Sequence, residues 1–335
     1  LLFAHLKELG GGQQKKLQEI LSGPMRERRY VMFLEHDVPQ LASPDQAAFS
    51  LIAHGDFAWL TAIPVGDCHL TDNIFRLNVK ARLRIPLGEL LILPNQRCNC
   101  ANRLFDPHAD HIITCNFVKG PERSINHSAV LRFCSKLNGA ARISSLIEPR
   151  GQYTAHDNIT RSNGSVKIVR RELDLWSGDG HMTANGKDTL SDITGVHGIT
   201  TAISVHGQRL QSVEGPIQTR VTQKNAKYKG PVTAIDCNFT PFVFETISGR
   251  LSPDFDNFIN SRTQIIADRT GVSLPMVKRY WTTQLSCIIR KQFAFTIQNR
   301  SERLLTRRYP RARYQDQYDQ LTQRIVVTRG WGGHH

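Results

Sequence analysis

The chain has 335 residues, 40% of them hydrophobic, enough for one sizeable core with a smaller module beside it and two or three compact units in all. Lysine and arginine outnumber aspartate and glutamate by 43 to 29, and the net charge of +14 points to a polyanionic partner, nucleic acid first, without separating RNA from DNA. No apolar run approaches the about eighteen residues of a membrane span and no signal-peptide pattern opens the chain, so a soluble, intracellular protein with no membrane partner is expected. Residue 1 is Leu rather than Met, which points to a piece of a longer product.

Residues 1–22 carry Leu2, Leu6, Leu9, Leu17, Ile20 and Leu21 at helical spacing and predict two short packing helices. A further helix is predicted from Asp45 to His54, with Pro44-Asp45 as its start. From Ile74 to Ile85 apolar residues (Phe75, Leu77, Val79, Leu83) alternate with mostly basic ones (Arg76, Lys80, Arg82, Arg84), which predicts a half-buried strand.

Of the seven cysteines, Cys98, Cys100 and Cys115 cluster with His108 and His111. Thiolates and imidazoles in two close groups with a turn between them suit a tetrahedral structural Zn²⁺ site, whose metal would supply the folding energy of so short a module. The three thiolates and His111 form the expected set, with His108 as the alternative fourth ligand.

A helix over 123–138, stopped by Asn138-Gly139, precedes a strand from Ile143 to Ile147 with Glu148 at its end. A strand-like run from Lys167 to Trp176 carries Asp174 and stops at Ser177-Gly178-Asp179-Gly180. A second, Thr189 to Val196, carries Asp192. The Gly/Asn/Asp-rich connection between them predicts a β-hairpin that brings both carboxylates to one sheet edge. Two carboxylates there suit a hard divalent cation, Mg²⁺ or Mn²⁺, which activates water and neutralises a phosphate. Lys224 or Lys227, accompanied by Tyr228, supplies an ammonium for the water or the pentavalent phosphate.

Residues 199–211 and 213–221 fit helix or strand equally. A buried strand is predicted within Ile235 to Ile247, and its Glu245 calls for a lysine or a nearby metal. Helices are predicted over 253–268 and 274–297. Beyond them Arg300, Arg303, Arg307, Arg308, Arg311 and Arg313 interleave with Tyr309 and Tyr314, a mixture suited to phosphate contact and base stacking.

Taken in order, Ala58-Trp59-Leu60-Thr61-Ala62-Ile63-Pro64, Phe75-Arg76 to Arg82-Leu83, the Cys-x-Cys with Asp110-His111 to Cys115, a helix with His127, Arg171-Glu172-Leu173-Asp174, Asp192-Ile193-Thr194, Lys224 to Tyr228 and Phe239 to Glu245-Thr246 form a series. It resembles the C-terminal region of non-LTR retrotransposon polyproteins, in which a reverse transcriptase is followed by a zinc knuckle and a restriction-like endonuclease. The resemblance runs from about residue 50 to about residue 250. It implies a PD-(D/E)XK fold of the α/β class, a mixed sheet flanked by helices, preceded by the knuckle and N-terminal helices. The implied activity nicks target DNA in the nucleus so that the new 3′ end primes reverse transcription. The implied partners are target DNA, the retroelement RNA and an upstream reverse transcriptase domain.

Carried over by position, Asp174 is the first acidic ligand, Asp192 the second and Glu148 an additional one. The lysine has moved to the following segment, as Lys224 or Lys227 with Tyr228. The knuckle falls on Cys98, Cys100, His111 and Cys115. Leu173 stands where the family has proline, and Asn126-His127-Ser128 where it has Arg-His-Asn. The expected division is a helical, polymerase-adjacent segment over 1–95, the knuckle over 96–118, the endonuclease over 119–268, and a C-terminal helix and basic tail over 269–335. The rival reading is a non-catalytic nucleic-acid-binding module that retains the nuclease fold.

Overall fold

The structure, a computed structural model, describes residues 40–53, 58–63, 66–87, 97–98, 103–104, 106–115, 122–160, 165–199 and 212–308. The helices predicted over 1–22, the segment 200–211 and the tail beyond 308 lie outside them. In chain order the elements are α1 (Ser43–Ala53), α2 (Asp72–Arg82), β1 (Arg97–Cys98), β2 (Arg103–Leu104), α3 (Asp110–Thr114), α4 (Glu122–Ala140), β3 (Ser145–Ile147), β4 (Ala155–Thr160), β5 (Val166–Arg171), β6 (Leu175–Ser177), β7 (Thr189–Val196), α5 (Gly215–Thr233), β8 (Asn238–Glu245), α6 (Pro253–Thr270) and α7 (Leu274–Arg308). The fold is mixed α/β. None of the described helices is long and apolar enough to cross a membrane.

The main sheet has the order β3-β6-β7-β8. β3, β6 and β7 run antiparallel, with Ile147 opposite Leu175 and Leu175 opposite Ser191, and β8 joins β7 in parallel with Asp192 beside Pro241. A parallel partner needs a crossover, and α5 lies within it. β7 is buried from Thr189 to Thr194 because both faces are covered. Ile193 faces α4 and α6, in a cluster with Phe133, Phe242, Phe255 and Phe258. Leu190 faces the other way, toward Tyr228 and Val232 of α5. Side chains two apart on a strand share a face, so Asp192 is turned with Leu190 toward α5.

The run from Lys167 to Trp176, predicted as one strand, is two. β5 pairs with β4 in a separate ribbon, from Ala155 opposite Arg171 to Thr160 opposite Val166. The chain then breaks at Glu172-Leu173-Asp174 and enters the main sheet as β6. At the break the Asp174 N–H donates to Ser191 O at 3.0 Å while its Oδ2 accepts the Ile193 N–H at 2.5 Å. The carboxylate thus stands in for a strand rung as the chain changes partner.

The strand predicted over 74–85 is also overturned: it is α2, capped by Thr71. Its buried face includes Asn78 and Arg82 as well as Phe75 and Leu77. Asn78 Nδ2 donates to Ile74 O at 2.8 Å and to Arg290 O at 3.0 Å. α4 runs past its predicted stop to Ala140, because Asn138 is fully buried and satisfied by tertiary partners. Its Nδ2 donates to Ser177 Oγ at 2.8 Å and its Oδ1 accepts from Arg262 Nε at 3.2 Å.

The 35-residue α7 walls three apolar clusters. Val277, Leu285 and Ile289 pack in the sheet core, Cys287 against Trp59 and Phe75, and Phe293, Ala294 and Ile297 against Ile112 and Cys115 near α3. Arg300, expected to reach a phosphate, is instead turned inward: it is buried and donates to Ile112 O at 2.8 Å and Ile113 O at 2.7 Å. A helix end offers unpaired carbonyls, and here a guanidinium from another helix takes them.

Candidate active site

Asp192 meets α5 as its strand phase requires. Lys224 Nζ stands 2.6 Å from Asp192 Oδ2, and the Thr194 hydroxyl donates to the same oxygen at 3.1 Å. One helical turn on, Tyr228 is buried and hydrogen-bonded to Asp192; burial first and that carboxylate second push its pKa up, so it stays a neutral phenol. Lys227 Nζ donates to the Tyr228 hydroxyl at 2.7 Å and lies 4.4 Å from its ring centre. Burial, then Lys224 and Arg171, hold the Lys227 pKa below the usual lysine range. The two candidate lysines therefore differ: Lys224 touches the second carboxylate, whereas Lys227 touches the tyrosine.

Asp174 sits at the break before β6, one rung beyond the Leu175–Ser191 pair and so across the hairpin from Asp192. His127 Nε2, from α4, is 2.8 Å from Asp174 Oδ2. That hydrogen bond raises the His127 pKa against the opposing effect of burial, and the charges of Asp174, Asp192 and Glu148 add to it. Glu148 is exposed, in the left-handed region at φ 49°, and its N–H donates to Asp174 O at 2.8 Å. Asp174, Asp192, Glu148, Lys224 and Tyr228 thus gather at one end of the hairpin. From sequence, His127 enters only through the family resemblance; its signal as a site residue is that it lies on the α4 face that carries Val130, Leu131 and Cys134 into the core.

Among the described residues no three His, Cys, Asp or Glu side chains form a ready-made metal cage. Mg²⁺ does not need one: it commonly takes one or two carboxylates and completes its shell with water and substrate phosphate. Asp174 Oδ1 has no protein partner among the described residues, so Asp174 and Asp192 fit such an ion.

Glu245, expected to need a lysine or a metal, is met by backbone donors among the described residues. Fully buried at the end of β8, it accepts the N–H groups of Gly198, Ile247 and Ser248 and the Ser248 hydroxyl at 2.6 to 3.0 Å. Backbone donors satisfy the charge and tie the end of β8 to the residues after β7.

In the cysteine cluster, β1 and β2 form a short hairpin with Cys98 opposite Arg103. Cys100 and the side chain of Cys98 lie outside the described residues. His111 on α3 and Cys115, the extended residue that ends it, are both buried and four residues apart, and Asp106 caps the N-terminal amides of the helix. His108 instead lines a small cavity with Arg84, and burial followed by that guanidinium lowers its pKa.

Compared with known proteins, the chain matches no family model and no curated protein.

Proposed function

We propose that the chain is a metal-dependent DNA endonuclease of the PD-(D/E)XK type, the nicking domain of a non-LTR retroelement protein that primes reverse transcription at the cut. The carrying observation is that Asp174, one residue before the Leu175–Ser191 pair, and Asp192, one residue after it, come to the same end of the β6–β7 hairpin, with Lys224 Nζ 2.6 Å from Asp192. The element order α4, β3, β6, β7, α5, β8, with the carboxylates on β7 and just before β6, supports the same reading. Asp174 and Asp192 would hold Mg²⁺ or Mn²⁺, with Glu148 beside them. The ion, when bound, lowers the pKa of a water and neutralises the scissile phosphate. Lys224 fixes Asp192 and stands where negative charge develops; Tyr228 holds Asp192 and Lys227 in register; His127 positions Asp174. Cys98, Cys100, His111 and Cys115 form the Zn²⁺ set in this reading, His111 being favoured over His108 because Arg84 repels a cation at the latter. Target DNA, the element's RNA and an upstream reverse transcriptase domain are the proposed partners, and the nucleus the place of action.

The test is nicking of supercoiled plasmid with Mg²⁺ or Mn²⁺, with DNA retention followed by gel shift. Nicking that EDTA abolishes supports the enzyme; retention without nicking under any metal leaves the non-catalytic binding module. Lys224→Ala is expected to slow nicking about a hundredfold, the scale of removing one preorganised donor to developing charge, and Lys227→Ala less than about tenfold. Equal losses would contradict the assignment of Lys224.

The raised pKa of His127 gives a pH dependence. Its cation competes with a metal for Asp174. The contact is at full strength below the ordinary value of 6.5 and weakens as pH rises through the raised one. Metal-dependent nicking should therefore climb with pH across that window, and His127→Asn should flatten the climb. A pH–rate profile that is the same for both proteins would sink this coupling.

A further inference from the structure

Between β3 and β6 the chain leaves the sheet to build the β4–β5 ribbon and returns at Asp174. Strands in a folded body hide at least one face, but Val166, Lys167 and Ile168 are all exposed, Val166 at 61% and Ile168 at 67%. Adjacent residues point to opposite faces, so this half of β5 stands clear of the protein on both sides. Residues 155–171 hold four Lys or Arg against one Asp, and that aspartate, Asp157, is 2.5 Å from Arg171. The base of the ribbon is anchored, with Ala155 buried among Tyr228, Val232 and Leu173.

The ribbon is continuous with the candidate site. Arg171, three residues before Asp174, lies close enough to Lys227 and Tyr228 for its charge to add to the lowering at the lysine and to oppose the rise at the phenol, and among the described residues its Nε is buried without a hydrogen-bond partner. On α5, Arg220, Lys224 and Lys227 follow one another at helical-turn spacing, forming a cationic stripe that leads to Asp192 and on to Arg171. Six residues per strand give a reach of about 20 Å, or roughly six base-pair steps.

We propose that the β4–β5 ribbon is a DNA-binding arm that enters the major groove beside the scissile phosphate, with Lys167 and Arg170 against flanking phosphates and Ile168 against base edges. The major groove of B-form DNA admits a two-stranded ribbon, whereas that of duplex RNA is too narrow. The position of the arm relative to the cut rests on the nuclease reading above; its binding to DNA does not.

The test is anisotropy of a fluorescent DNA duplex across a salt series with Mg²⁺ and Mn²⁺ omitted, so that catalysis plays no part. Lys167→Ala/Arg170→Ala should weaken binding at least about tenfold at physiological salt and shrink the log–log salt slope by about 1.8, or about 0.9 for each phosphate no longer neutralised. Ile168→Ser should keep the slope and lose protection of guanine N7, a major-groove atom, from dimethyl sulfate. All three side chains are exposed, so thermal melting should be unchanged. Parental affinity and slope in the double variant would overturn the proposal, as would an equal loss on duplex RNA. Arm-dependent binding without nicking sinks the nuclease reading and keeps the arm; nicking by a double variant that binds normally does the reverse.

Discussion

Asp174→Asn should slow metal-dependent nicking at least about a thousandfold, well beyond the roughly ten- to hundredfold lost with an outer-shell partner, while DNA retention stays equal or tightens slightly. The asparagine keeps an oxygen that can accept the Ile193 N–H, so the crossing from β5 to β6 is preserved. What disappears is the negative charge, and with it half of the carboxylate pair and the charge on the oxygen that holds His127 and raises its pKa. The same substitution in a mere binding module would only remove repulsion from the phosphates. Wild-type nicking rates in this variant, with the fold intact by circular dichroism, would remove Asp174 from the chemistry.

Glu245→Ala should cost at least about 3 kcal/mol of stability, because the N–H groups of Gly198, Ile247 and Ser248 lose their acceptor in the interior and each stranded group costs about 1–3 kcal/mol. Against a typical total of about 5–15 kcal/mol this leaves little margin, and urea unfolding should show a marked drop in midpoint. Glu245→Gln keeps the shape but turns an NH₂ toward those donors, so it should recover only part of the loss. A midpoint within error of the parent for both variants would mean the carboxylate does not organise this turn.

The hairpin with its two carboxylates is legible in the sequence because β-branched residues, spaced apolar positions and a Gly-rich connection all report on local geometry. The choice between Lys224 and Lys227 is not: it depends on the phase of α5 against β7, and residues 213–221 carry too few apolar positions to show a helix. α2 misleads for a physical reason. A periodicity built on apolar residues misses Asn78 and Arg82, polar groups that share the buried face because Arg290 O and the Trp59 ring receive them. Counting apolar residues alone leaves the alternation of Phe75, Leu77 and Val79, which mimics a strand. Glu245 misleads in a similar way: sequence flags a buried charge, but backbone N–H groups that converge only after folding leave no trace in residue type. The break at Glu172-Leu173-Asp174 is tertiary too, since β5 and β6 are separated by which partner each strand finds.

The continuous α7 acts as a ruler. Leu285 in the sheet core and Ile297 beside α3 are twelve residue steps apart along unbroken helix, about 18 Å. Arg290 donates to Thr246 O and Ile247 O at 3.0 and 2.7 Å, and Arg300 grips α3, so both ends of that length are fastened. The sheet core and α3 are therefore kept at a set offset by a rod instead of a tether.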